Sequence, residues 1–510
     1  MISSPATQRL KLLQDAQEHL LRGRLPTAWN ILDRALRSTP GDAAILSLMA
    51  QIQRQRGDLP LSEKLARMAI AAHPEDGQGH LALGHTLAKQ GRSSEAEKCW
   101  QQAAILDPTN PEPHLSMAQL AEQEKRYIEA ESAADRALSL KPDHLQATMI
   151  RARCDAMRNQ PDQGAKRLLK LSTASMLPAQ RVDYYFELGH LQQDARRYQQ
   201  AFESYSEANR LQHLTAQPSE SPRAEQLIPQ LAQWSAALPP PNPTPIAAPG
   251  KQPVFIMGYP RSGFTLLSQM LAAHPRLVVM SGYRLPSSLV ERLAPHSYPS
   301  GLAQLDPPTL AAMRQLYFKH VQRIIGALPA PATLVDMHPL HILDLPMIQR
   351  LFPHAAIIHL TRHPMDAALQ CFIRHTHAHD PATVMVRSLH EAVALYVAMM
   401  NLLNASLRLQ PATLHTLRYE SIVENMPMAV QTLLTRLNIP WDDAIHRYRG
   451  VPMRRLFNAQ GSLPEAPPLH SRQVALWPVF HSYLRPFIPL LDPYAHYLGF
   501  TKPSTVAPRR

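Results

Sequence analysis

The sequence predicts two unlike parts, a helical solenoid followed by an α/β domain with a mostly parallel sheet, and three observations predict it. Pro40, Pro74, Pro108 and Pro142 recur every 34 residues without a slip. A proline-rich stretch then runs from Pro239 to Pro253. Beyond it, short apolar runs alternate with helical stretches, the grammar of parallel strands covered by helices on both faces.

Within the first part, small residues share the register of the prolines. Ala35, Ala69, Ala103 and Ala137 form one column, Ala16, Ala50, Gly84 and Ala118 a second, and Ala28, Ser62, Ala96 and Ala130 a third. Gly23, Gly57 and Gly91 fall at the bend, with Lys125 in the fourth copy. Each copy therefore reads as a helical hairpin. Its helices approach where side chains are small, turn at a permissive residue, and stop before a proline that cannot continue them. A fifth copy (Ala152, Gly164) and a sixth (Gly189, Ala201, Ala208) are looser and separated by a short insertion. The period and columns resemble tetratricopeptide repeats. That resemblance implies an array over 1–215 whose concave face takes an extended protein or peptide segment; such arrays also serve as dimerisation platforms, so a homodimer is a further expectation.

Residues 216–252 read as a helical segment (AEQLIPQLAQWSAAL) followed by a semi-rigid proline-rich linker. The second domain is expected over 253–500, with strands at 254–257, 277–280, 333–337, 355–360 and 413–419 and a tail at 501–510.

The segment VFIMGYPRSGFTLLSQML, 254–271, is the most informative. A strand ends at Gly258, a turn carries Arg261, Ser262 and Gly263, and a helix opens near Thr265. This aims backbone N–H groups and a helix N-terminus at one point, which is an anion cradle. Two readings compete. Gly258-x4-Gly263-x-Thr265 nearly fits the nucleoside-triphosphate P-loop, but Phe264 occupies the lysine position. The alternative, strand–G-x-P-R-S-G-x-T–helix followed by His274-Pro275, resembles the 5′-phosphosulfate loop of sulfotransferases that use 3′-phosphoadenosine 5′-phosphosulfate (PAPS), especially the tyrosylprotein and repeat-fused types. The resemblance implies PAPS as co-substrate, held by Arg261, Ser262, Gly263, Phe264 and Thr265, with no metal.

A second block, 335–372, follows the same family. Asp336, Pro339, Leu351-Phe352-Pro353, Ala355, Arg362, Pro364 and Asp366 match its pattern. The resemblance places Arg362, with Gln370 at the family's serine position, on the 3′-phosphate, while Asp366 reads equally as a helix cap. Tyr419-Glu420-x-x-Val423, Ile439-Pro440-Trp441 and the segment 474–500 resemble the family's later motifs in the expected order.

The departures concern catalysis. Tyr283 and Arg284 stand where the family's base glutamate is expected, Met337 replaces a lysine, and 459–466 reads AQGSLPEA where the family often shows TAS and QVR. Arg261 is then the expected catalytic cation. His338, beside the lost lysine and near where other sulfotransferases place a base histidine, is the candidate base. His359 reads as structural; His375, His377 and His379 have a spacing that a metal would tolerate, with no carboxylate framework in support.

Composition narrows the rest. At 510 residues with 45% hydrophobic and 18% charged residues the chain is globular and multidomain. A net charge of +12 favours anionic partners, here a nucleotide rather than nucleic acid. Three scattered cysteines, an N-terminus without an apolar signal core and no uninterrupted apolar run of membrane length lead to the expectation of a reducing, cytoplasmic setting and no membrane span. The expected function is sulfonate transfer from PAPS to a hydroxyl, such as a protein tyrosine presented by the repeats. A degenerate nucleotide- or protein-binding scaffold is the alternative, and a P-loop kinase is disfavoured by Phe264.

Overall fold

In the N-terminal region five helical hairpins follow one another: α1 (Pro5–Leu21) with α2 (Leu25–Ser38), α3 (Ala43–Arg56) with α4 (Leu59–Ala72), α5 (Gly77–Lys89) with α6 (Ser93–Leu106), α7 (Glu112–Gln123) with α8 (Tyr127–Leu140), and α9 (Leu145–Met157) with α10 (Pro161–Leu168). A sixth pair is α11 (Pro178–Asp194) and α12 (Tyr198–Thr215). These come from a computed structural model that describes residues 5–215, 222–239, 252–293, 297–376, 383–409, 414–449, 455–459 and 474–500.

The columns seen in the sequence have direct structural causes. Ala28, Ser62, Ala96 and Ala130 are each wholly buried. A Cβ on Gly84 would sit 2.4 Å from the Trp100 indole nitrogen, so the column stays small because Trp100 fills the space. The bend residue is left-handed in every copy, and not only at Gly23, Gly57 and Gly91: Lys125 (φ 62), Asn159 (φ 60) and Arg196 (φ 60) adopt the same conformation. There a side chain costs roughly 1–2 kcal/mol, which explains the glycines in the first three. Neighbouring copies are also tied by a repeated ion pair, Arg92 to Glu63 at 3.0 Å and its counterpart Arg126 to Glu97 one repeat later.

The chain forms two compact units, residues 1–180 with 187–201, and residues 181–186 with 202–510. The second unit is built on one six-stranded parallel sheet, β1 (Val254–Gly258), β2 (Leu277–Ser281), β3 (Thr333–Met337), β4 (Ile357–Thr361), β5 (Leu414–Arg418) and β6 (Leu456–Asn458), in the order β5-β4-β1-β3-β2-β6. β1 and β4 are buried along their whole length, as a parallel sheet covered on both faces requires. Five strands lie where the apolar runs predict them. β6 has three residues, too few to show a periodicity, and lies just before 459–466, where the sequence departs from the family pattern.

Its helices are α13 (Ala224–Ala236), α14 (Phe264–Ala272), α15 (Leu285–Val290), α16 (Pro307–Ile325), α17 (His341–Leu351), α18 (Pro364–Ile373), α19 (Leu389–Leu409), α20 (Tyr419–Glu424), α21 (Met426–Arg436), α22 (His481–Leu484) and α23 (Ile488–Tyr497). α13, expected as a helix ahead of the linker, buries Leu227 and Leu231, packs on α19 and is pinned by Ala224 N–H to Met385 O at 2.9 Å. The proline-rich stretch beyond it lies mostly outside the described residues. Most of α12, from Phe202 onward, also belongs here: Asn209 donates to Phe372 O at 2.7 Å, and Phe202 stacks on Tyr483. Among the described helices α19 alone is long and apolar enough to cross a membrane by composition, and 56% of its apolar window is buried in the domain. It is a core helix.

Candidate active site

The site lies at the C-terminal edge of the sheet, where ligands bind in open α/β folds. Hydrogen bonds continue past the strand ends and keep the loops level. Gly258 N–H reaches Pro339 O (3.3 Å), His338 N–H reaches Ile256 O (3.1 Å), Gly282 N–H reaches Met337 O (3.1 Å) and Ala459 N–H reaches Ser281 O (3.0 Å).

The loop after β1 is a cradle by construction. A Cβ on Gly258 would be 2.0 Å from Leu360 O, so the loop can start only at glycine. Arg261 (φ 66) and Gly263 (φ 103) are both left-handed. Gly263 caps α14 without any side-chain bond, which leaves the N–H groups of the first turn open. Ser262 is fully buried, yet its hydroxyl has no hydrogen-bond partner among the described residues. Such a group is costly unless a ligand or water satisfies it. Tyr259 OH to Ala392 O (2.8 Å) and Arg261 Nη2 to His375 O (3.0 Å) brace the loop on both sides.

Three arginines face this cradle. Arg362 leaves the end of β4, nearly buried, its guanidinium 4.8 Å from the Tyr419 ring centre and 3.4 Å from Arg261 O. Arg374, at the end of α18, donates to Gln370 Oε1 at 3.4 Å. Burial, and after it the charge of Arg261 and the weaker effect of Arg362, hold the Arg374 pKa below the usual arginine value. Neither Arg261 nor Arg374 forms an ion pair among the described residues. This is a concentrated positive charge around a backbone nest, suited to a polyanion.

The expected site residues separate into groups. Arg261, Ser262, Gly263, Arg362 and Gln370 are brought together, and Thr265 is exposed on the first turn of α14. Phe264 differs from expectation: its side chain is in the hydrophobic core, so it offers the cradle only its backbone. Asp366 is not an intrahelical cap, since His363 holds the N-cap position of α18. Its carboxylate accepts backbone N–H groups of the C-terminal segment, Trp477 at 2.8 Å among them, while burial raises its pKa. His274 of the His-Pro pair accepts Arg276 N–H at Nδ1 and so donates from Nε2 to Pro440 O at 2.9 Å, a structural tether.

His338 does not suit the base role expected of it. It is fully buried, and its Nδ1 accepts the Leu340 N–H at 3.0 Å. The neutral ring must then carry its proton on Nε2, where it donates rather than accepts. His359 is buried on β4, with its pKa lowered to about 4. His375 pairs with Asp183 at 3.2 Å, while His377 and His379 lie outside the described residues.

Around His338 the structure reveals an ionic chain that the sequence does not announce. Asp336 Oδ1 bonds His341 Nε2 (3.1 Å), His341 Nδ1 lies 3.5 Å from Asp344 Oδ2, and Arg284 grips Asp344 with two bonds (2.8 and 2.7 Å). Tyr317 OH donates to Asp336 Oδ2 at 2.7 Å. Burial alone would lower the His341 pKa, but the two carboxylates outweigh it and bring the value to about 9.

A strand–cradle–helix unit beside clustered arginines, on a parallel sheet, makes this an α/β domain with an anion cradle at its strand ends. Residues 253–443 match the sequence model of the sulfotransferase family, and residues 13–77 and 81–144 match that of the tetratricopeptide repeat. The chain therefore carries a tetratricopeptide-repeat region and a C-terminal sulfotransferase-family domain. An uncharacterized protein of Aquifex aeolicus (strain VF5) is 23% identical over 253 residues, 48% of this chain. The match spans about a third (33%) of that relative's length. Among solved structures, a thermophilic tetratricopeptide-repeat protein of Thermus thermophilus is similar over 35% of this chain and 98% of its own, at 20% identity and a TM-score of 0.32. The type IV pilus biogenesis factor PilW is similar over 41% and 94%, at 18% identity and a TM-score of 0.34.

Proposed function

We propose that the C-terminal domain moves a sulfonate from PAPS to a hydroxyl acceptor. The observation that carries this reading is the buried Ser262 hydroxyl, unpartnered among the described residues, inside a glycine-shaped cradle beside Arg261, Arg362 and Arg374. The open N–H groups of α14, Ser262, Gly263, Thr265 and Arg261 suit the 5′-phosphosulfate. Arg362, Gln370 and Arg374 suit the 3′-phosphate. PAPS supplies an activated sulfonate; the chain supplies position and positive charge where oxygens gain negative charge. Tyr419 closes the cradle from the β5 side. The repeat array would present the acceptor, such as a tyrosine in an extended segment, and could serve as the surface for a homodimer. The unpaired cysteines fit a reducing, cytoplasmic setting.

A specific observation favours a second reading, a module that binds nucleotide without turnover. Where the family has lysine, Met337 is wholly buried in the core, and where it has a base glutamate, Arg284 is engaged with Asp344. Calorimetry with adenosine 3′,5′-bisphosphate, ATP and 5′-AMP tests the nucleotide site. The bisphosphate should bind most tightly, and ATP binding equally well would overturn the assignment. Radiolabelled PAPS with peptide, carbohydrate and phenol acceptors then decides between transfer and binding alone.

A further inference from the structure

Resting on the sulfotransferase reading, we infer that Asp336, His341, Asp344 and Arg284 act as one positioning chain that fixes the acceptor side of the site. Arg284 occupies the segment where the family's base carboxylate is expected. That segment follows β2, which is separated from β1 by β3 alone. It therefore lies roughly 10 Å from the phosphate cradle, two strand spacings away. On that reading, an acceptor that approaches a sulfonate at β1 from the β2 side passes this segment.

The chain is closed in both hydrogen bonding and charge. Asp336 gives one oxygen to His341 and the other to Tyr317. Asp344 receives Arg284 on both oxygens and His341 on one. Two carboxylates thus face one guanidinium and one imidazolium, for no net charge. His341, Asp336 and Asp344 are buried to within 1%, whereas the Arg284 side chain is 25% exposed. The chain therefore runs from the sheet interior to the surface of the site. It joins four elements: β3 through Asp336, α17 through His341 and Asp344, α16 through Tyr317, and the β2–α15 loop through Arg284. Gly282 (φ 79) lets that loop turn back, its N–H on Met337 O. Tyr298 OH on Leu343 O, at 2.6 Å, holds the far side of α17. The His338 ring lies beside the chain, its centre 5.5 Å from that of His341.

A fully satisfied buried network specifies one geometry and resists alternatives. Here the geometry specified is that of Ser281–Leu285, the wall nearest an incoming hydroxyl. In this protein the segment that usually carries the base has become a held wall, and these four residues position the acceptor rather than touch it.

The test uses the full chain with Arg284→Met, Arg284→Lys and His341→Gln, with PAPS and p-nitrophenol or a tyrosine peptide. Arg284→Met should raise the acceptor KM about tenfold or more, since small misplacements cost up to about a hundredfold, and leave bisphosphate affinity within about twofold. Arg284→Lys, which keeps the charge but loses the fork, should recover part of that loss. Hydrogen exchange gives a readout independent of turnover: amides 281–285 should exchange at least about tenfold faster in Arg284→Met and His341→Gln, while those of 255–258 stay protected. Unchanged exchange at 281–285, or an equal fall in nucleotide and acceptor binding, overturns the inference. If wild type binds bisphosphate but transfers nothing, the transfer reading fails, and the exchange result alone decides the positioning chain.

Discussion

Tyr419 stands where any side chain on Gly263 would have to go: a Cβ at Gly263 would lie 2.5 Å from Tyr419 Cδ2. The two residues are far apart in sequence, one after β1 and the other directly after β5, and they meet at the same cradle. Gly263 also sits at φ 103, so two independent constraints, contact and backbone, demand glycine.

Gly263→Ala should therefore weaken bisphosphate binding severely and cost on the order of 1–3 kcal/mol of stability from backbone strain alone. Combining it with Tyr419→Ala removes the collision but not the strain, so the double variant should recover little. Full recovery of affinity, read by calorimetry, would show that the ring contact is the whole constraint.

Arg362→Ala separates two roles of one side chain. As the 3′-phosphate ligand it should contribute roughly 2–3 kcal/mol to bisphosphate binding, the scale of charged hydrogen bonds. Its long bond to Arg261 O also braces the cradle, so 5′-AMP should lose a smaller amount, about 1 kcal/mol. Equal losses for the two nucleotides would assign Arg362 to bracing only.

What the sequence makes legible follows from which physics is local. Repeats, strands and the glycine-shaped loop after β1 rest on short-range rules, such as small residues at crossings, glycine at left-handed turns and apolar runs in covered sheets. Those appear in the chain at fixed spacing. Arg374 escapes a sequence reading because its place depends on Arg261 and Arg362 approaching from other loops; its only sequence trace is the spacing of four from Gln370. The Asp336–His341–Asp344–Arg284 chain escapes it for the same reason, although Asp336, His341 and Asp344 are near neighbours. A pairing 60 residues distant completes it. The obstacle to the base role expected of His338 is invisible to a pKa argument, which cannot reveal that Leu340 N–H occupies Nδ1. Phe264 reaches the cradle through its backbone alone, because loop membership hides which way a side chain turns.

His341 makes stability depend on alkaline pH. Its folded pKa is about 9, above the ordinary 6.5. Its contribution is thus fully present below pH 6.5 and is lost as pH rises through 9. The difference corresponds to ~3 kcal/mol. Chemical denaturation of the C-terminal domain should show stability falling between these limits, and His341→Gln should flatten that slope. A wild-type profile as flat as the variant's would mean the imidazole is already neutral.

His338 and Arg261 can be told apart by variants that keep the local bonds. Arg261 faces the cradle with no carboxylate partner among the described residues, so Arg261→Ala should lower transfer by about 10²–10³, the usual loss for one preorganised donor. His338→Asn retains an oxygen able to accept the Leu340 N–H, so the backbone there should hold. If the imidazole is a wall residue, transfer should stay within about tenfold and the pH–rate profile should keep its shape, whereas losing a general base costs roughly 10²–10⁴. A loss of that size with unchanged bisphosphate affinity would restore His338 as the base. It would also require its ring to turn and release Leu340, because in the present geometry the nitrogen facing away from Leu340 already carries the proton.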